Sequence, residues 1–165
     1  GTRKHSVVTM NVGAELSTQL RDKPCRTHSS DMRVKIDDAN YVYPDVSVVC
    51  GEEQFEDDNE TSLLNPTIVI EVLSPSTEAY DRSAKRDKYM SLPSLQAYLL
   101  ISTERIAVEM YTRHQEGWLL QTFYAREASV PLALADVKLP LAEIYRDITF
   151  EETPAQVAPD EGETA

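Results

Sequence analysis

The stretch P-T-I-V-I-E-V-L-S-P-S-T, residues 66–77, is apolar from Ile68 to Leu73 apart from one residue, Glu71. A short β-branched run bounded by prolines reads as a strand. Alternation sends Thr67, Val69, Glu71 and Leu73 to one face and Ile68, Ile70 and Val72 to the other. Both faces are apolar, the mark of a central strand covered on both sides, so the fold must place this segment inside a sheet with a packed layer above and below. A carboxylate left alone in that position would cost several kcal/mol or take up a proton. Glu71 therefore needs a cation or a cleft.

The remaining elements follow from periodicity. Val8, Val12, Leu16 and Leu20 recur every four residues and mark one face of a helix from about Ser6 to Leu20. M-R-V-K-I (32–36) alternates as a half-buried strand, and D-V-S-V-V-C (45–50) is a second strand entered through Pro44 and ended at Gly51. After the Glu71 strand, Ser76 or Thr77 can cap a helix running to about Leu92, which Pro93 ends. Strands are expected at 96–101, 106–112 and 117–124, with Trp118 in the core, and a short helix around 139–145. This mixed α/β order suits a curved β-sheet flanked by helices better than a regular doubly wound sheet. The expected division is one domain over residues 1–150 and a loose acidic tail over 151–165.

The net charge of −12 argues at first against a nucleic-acid partner, because a phosphate backbone calls for a basic surface. Its distribution weakens the objection. Six acids in residues 51–60 and five in 151–165, with no base in either segment, account for all but one of the net negative charges. Both runs read as solvated loop and tail. The body is nearly neutral and concentrates base at Arg82, Lys85, Arg86 and Lys88. Cys25 and Cys50 have neither CxxC nor zinc-finger spacing and are too few for a disulfide framework, although a bridge between them is open. With no long apolar run, the expectation is a soluble, cytoplasmic protein with no membrane partner. His28 and His114 lack partner spacing and read as surface residues.

Asp45 opens the strand before that of Glu71, and neighbouring strands lie about 4.8 Å apart. Two carboxylates on adjacent strands form a hard oxygen site suited to Mg2+, with Mn2+ as substitute. Taken singly, Asp45 also fits a strand-start or turn role, and Glu71 a core ion pair with an arginine. On the following helix, Asp81, Lys85, Lys88 or Tyr89, and Leu92 share a stripe. Lys85 can reach the strand ends from there, or simply pair with Asp81 on the helix surface.

The motifs Y-P-D-V-S-V-V-C (43–50), P-T-I-V-I-E-V-L-S-P-S-T (66–77), D-R-S-A-K-R-D-K-Y (81–89) and L-P-S-L-Q-A-Y-L-L-I (92–101) together resemble the Uma-two family of restriction endonucleases, within the PD-(D/E)XK nuclease superfamily. The resemblance runs from about His5 to Tyr145 and implies a restriction-endonuclease-like core. It also implies a metal ion held by Asp45, Glu71 and the backbone carbonyl of Val72, with DNA as substrate. The superfamily's lysine stands two residues after the glutamate, where this chain has Leu73; in the resembling family the following helix supplies it, which points to Lys85, with Lys88 in reserve. Asp45, Glu71 and Lys85 are thus the candidate catalytic residues. His5, Asp81, Lys88 and Tyr89 are candidate site-lining residues, with a packed or capping role as the alternative for His5. Arg82 and Arg86 are candidate phosphate contacts.

The function expected from this reading is magnesium-dependent hydrolysis of DNA phosphodiester bonds, carried out by a homodimer because two strands are most easily met by two sites. The rival is a catalytically idle nuclease fold serving as an interaction or regulatory module, which the acidic 51–60 segment favours. RNA or small nucleotides would use the same metal chemistry. No P-loop, nucleophile elbow or H-E-x-x-H pattern is present.

Overall fold

The computed structural model describes residues 1–151. Helix α1 (Arg3–Gln19) buries Val8, Val12 and Leu16, as the four-residue recurrence requires, and the Thr2 side chain caps it by accepting the His5 N–H at 3.2 Å. Strands β1 (Cys25–Ser29), β2 (Arg33–Asp37), β3 (Asn40–Val42), β4 (Val46–Cys50), β5 (Ser62–Leu63) and β6 (Ile68–Val72) follow. Two short helices, α2 (Glu78–Asp81) and α3 (Ala84–Met90), lead to β7 (Ala97–Ile101), β8 (Val108–His114) and β9 (Gly117–Phe123). The described chain closes with β10 (Ser129–Leu132), β11 (Val137–Pro140) and α4 (Leu141–Ile144).

A six-stranded mixed sheet in the order β1-β4-β6-β7-β8-β9 carries the architecture. Only the β6–β7 pair in it is parallel. A parallel neighbour needs a crossover, and the segment holding α2 and α3 supplies it. β3-β2-β5 and β10-β11 form two smaller sheets. β6 is buried at every position, and its alternation divides the core. Ile68, Ile70 and Val72 pack with α1 and the C-terminal segment; Val69 and Leu73 pack with Tyr89, Leu92 and Tyr98 on the other side. Glu71 thus belongs to the layer that holds α3.

Several expectations are corrected. The helix expected from about residue 77 to Leu92 is broken at Arg82–Ser83: Ser83 leaves helical geometry (φ −126°, ψ −98°) while its hydroxyl donates to the Ala79 carbonyl at 2.6 Å, a local bond that competes with helix propagation. Thr77 holds the N-cap position of α2 without a side-chain cap bond; its hydroxyl instead lies 2.9 Å from that of Ser74. Trp118 is half-buried, with the Arg113 guanidinium 4.5 Å from its ring centroid. His28 is half-buried and paired with Glu53. The acidic 51–60 segment is not simply solvated: Glu56 accepts from Lys35 and from the Tyr41 hydroxyl, each at 2.9 Å, and Phe55 bridges to Leu63. Residues 152–165 of the acidic tail lie outside the described residues. No described helix is long and apolar enough to cross a membrane.

The cysteine pairing, left open by the sequence, is decided by strand register. β1 pairs antiparallel with β4 so that Cys25 stands opposite Cys50, and the two are joined by a disulfide across 25 residues of sequence. The spacing suggested nothing because the bond depends on strand register. Closing a loop of that size in the unfolded chain contributes on the order of 2–4 kcal/mol. Cys25→Ser is expected to lower the urea unfolding free energy by about that amount, and reductant to do the same to the wild type only; a wild type indifferent to reductant would count against the bridge.

Candidate functional site

Val46 of β4 pairs with Ile70 of β6 in antiparallel register, which sets Asp45, one residue earlier, level with Glu71, one residue later. Asp45 is held from both sides of the sheet end: its Oδ2 accepts the Val72 N–H at 2.8 Å and lies 3.4 Å from His5 Nε2. Glu71 is 2% exposed, and its Oε1 accepts the Tyr89 hydroxyl at 3.0 Å and meets Lys85 Nζ at 2.6 Å. Lys85 Nζ also lies 3.5 Å from Oδ1 of the buried Asp81, and the Tyr98 hydroxyl donates to the Asp81 carbonyl at 2.9 Å. Asp45, Glu71, Lys85, Asp81, Tyr89 and His5 therefore meet at one end of β4 and β6.

The four-residue spacing of Asp81, Lys85 and Tyr89 survives the break between α2 and α3, so all three face the sheet. Leu73, at the position where the superfamily carries its lysine, is buried in the apolar layer, and the ammonium beside Glu71 comes from Lys85 of α3. Three expected members are elsewhere. Lys88 does not join the site: its ammonium donates to the exposed Tyr80 hydroxyl at 3.4 Å and sits 5.7 Å from that ring's centroid. Arg82 is taken up by two carboxylates, Glu78 at 2.8 Å and Glu109 at 2.5 Å, which raise its pKa and neutralise the charge a phosphate would need. Arg86 lies against the Tyr111 ring, 5.6 Å from its centroid, and 3.3 Å from Asp87. Sequence reasoning missed Glu109, whose signal was absent because it comes from β8, and the Val72 amide, which anchors Asp45.

Burial pushes the Glu71 carboxyl up to about 8; the Lys85 charge opposes this and the Asp45 and Asp81 charges reinforce it. Burial pulls Lys85 down, but its attraction to Glu71 and Asp81 outweighs that, and the ammonium is held above its ordinary value. Burial, then the neighbouring Glu71 charge, raises Tyr89, so its hydroxyl remains a donor. The sign of the stability linkage follows from Glu71. Its folded pKa exceeds the unfolded value, so its contribution is complete below about pH 4.5 and is lost as pH rises through about 8. The stability difference between wild type and Glu71→Gln should therefore shift against the wild type across that window in urea titrations, and a pH-independent difference would refute this.

The donor set fits a hard cation. Each carboxylate spends one oxygen on the contacts described, Oδ2 of Asp45 and Oε1 of Glu71, which leaves Oδ1 and Oε2 outside them. Mg2+ takes one or two carboxylates and keeps several waters. Among the described residues no group of three or more His, Cys, Asp or Glu side chains is placed to hold a metal.

Comparison with known proteins places the chain in a family. The sequence profile of Uma2, described as "Putative restriction endonuclease", matches residues 1–142. The chain belongs to the Uma2 family. Two relatives of this Uma2 protein come from Synechocystis sp. (strain ATCC 27184 / PCC 6803 / Kazusa), both named uncharacterized proteins. One is 36% identical over 155 residues, covering 91% of this chain and 78% of its own length. The other is 32% identical over 135 residues, covering 81% and 76%. A crystal structure from Anabaena variabilis, described as "a putative nuclease belonging to DUF820", is similar with a TM-score of 0.71 at 20% identity, covering 87% of this chain and 81% of that one. The Uma2 chain thus shares its fold with that protein.

Proposed function

We propose that this chain is a magnesium-dependent endonuclease that hydrolyses DNA phosphodiester bonds, on a restriction-endonuclease-like core whose curved sheet is flanked by helices. The observation that carries the reading is the burial of Glu71 beside Asp45 with the Lys85 ammonium against it. A buried ion pair with a second carboxylate alongside is a costly arrangement for stability alone, and perturbed groups of this kind concentrate at functional sites.

Asp45, Glu71 and the Val72 carbonyl would hold the ion, which when bound lowers the pKa of a water and neutralises phosphate charge. His5 and the Val72 amide fix the Asp45 carboxylate, and Tyr89 fixes Glu71, so both acceptors are oriented before substrate arrives. Glu71 and then Asp81 keep the Lys85 ammonium charged at the strand ends, where it would stabilise negative charge developing on a phosphate. Cutting both strands of a duplex would call for two copies of the chain. The test is nicking of supercoiled plasmid in Mg2+ or Mn2+, run beside calorimetric titration of Mn2+ into the protein alone, for the wild type, Asp45→Asn and Glu71→Gln. Absence of Mn2+ binding at millimolar concentration would favour the idle interaction module.

A further inference from the structure

Two of the three segments that bring carboxylates to the site carry an exposed tyrosine. Tyr43, 56% exposed, stands two residues before Asp45, and Tyr80, 43% exposed, stands one residue before Asp81. The backbone at both places is anchored from within, by the Asp45–Val72 hydrogen bond and by the Tyr98 hydroxyl on the Asp81 carbonyl. Both rings are presented to solvent within two residues of these anchors. The Lys88 ammonium orients the Tyr80 ring, 3.4 Å from its hydroxyl and 5.7 Å from its centroid.

The cations nearby offer little to a duplex. Lys85 is committed to Glu71 and Asp81, Arg82 to Glu78 and Glu109, and Arg86 to Tyr111 and Asp87. Lys88 has no carboxylate within ion-pair distance among the described residues. A duplex binds mainly through many phosphate contacts and hides the faces of its bases, so it can use neither what is scarce here nor what is abundant. An unpaired strand exposes its base faces and gains from aromatic platforms with only sparse positive charge.

We propose that the site takes single-stranded DNA, such as an unpaired segment or flap, with Tyr43 and Tyr80 stacking bases on either side of the carboxylates and Lys88 meeting a phosphate. This rests on the nuclease reading and narrows its substrate. The experiment uses the full chain as Glu71→Gln in Mg2+, with fluorescence anisotropy of labelled single-stranded DNA, the matching duplex and the matching RNA strand. Single-stranded DNA should bind tightest with a shallow salt dependence. Tyr43→Ala and Tyr80→Ala should each weaken it by about 5- to 100-fold. Tyr124→Ala should leave it unchanged, because that ring, 62% exposed, follows edge strand β9, three strands from β6. Equal or tighter binding of duplex or RNA, or tyrosine variants at the site that bind as well as the Tyr124 variant, would overturn it. Mn2+ titration without DNA reports on the nuclease reading separately, since neither tyrosine is a proposed ligand.

Discussion

Asp45→Asn and Glu71→Gln are each expected to slow magnesium-dependent nicking by at least about a thousandfold. A bound cation contributes several kcal/mol of charge stabilisation when phosphate is attacked, and each 1.36 kcal/mol is about a factor of ten in rate. Both substitutions keep shape and remove charge. Asn at position 45 retains an oxygen for the Val72 amide, and Gln at position 71 retains one for the Tyr89 hydroxyl, so the hydrogen bonds that organise the strand ends persist. The loss should appear equally as weakened Mn2+ binding in the absence of DNA, a measurement indifferent to turnover. A variant that keeps more than a tenth of the wild-type rate while remaining folded would remove that residue from the metal site.

The second large effect concerns stability. Lys85→Ala leaves Glu71 and Asp81, both 2% exposed, without the ammonium that lies between them. Deleting one partner of a buried pair costs up to about 3–5 kcal/mol where the survivor stays charged. The cost is less where Glu71, whose carboxyl is already pushed up to about 8, takes up a proton, so the loss should grow as pH rises. Replacing the pair together, as Lys85→Met with Glu71→Leu, should recover the part of that loss that belongs to Glu71, while Asp81 still lacks its ammonium. Urea unfolding of the single and double variants measures both quantities. If Lys85→Ala unfolds within about 1 kcal/mol of wild type, the ammonium is solvated in solution and does not hold the carboxylates.

Taken together, the two experiments separate chemistry from architecture. Asp45 and Glu71 are expected to matter more for metal and rate, and Lys85 for both rate and folding. Tyr89 ties them: its ring fills the apolar layer beneath the site while its hydroxyl orients Glu71.

The legible part of this protein is what single segments encode. Alternation along Ile68–Val72 assigns each side chain to its layer, because strand geometry turns successive residues to opposite faces. The same logic placed the buried stripe of α1 and singled out Glu71 as a carboxylate in need of a partner. Asp45 could be nominated because adjoining strands bring their ends close. Pairings between distant segments carry no periodicity and were decided only by the tertiary structure. The register of β1 on β4 joins Cys25 to Cys50, and β8 delivers Glu109 to Arg82, a partner that the helix alone did not suggest. The docking of α3 against the sheet buries the Lys85 and Tyr89 contacts with Glu71 and leaves Lys88 on Tyr80. Local sequence sets which face a residue occupies; what it meets there depends on how two surfaces pack, and that is a property of the whole chain.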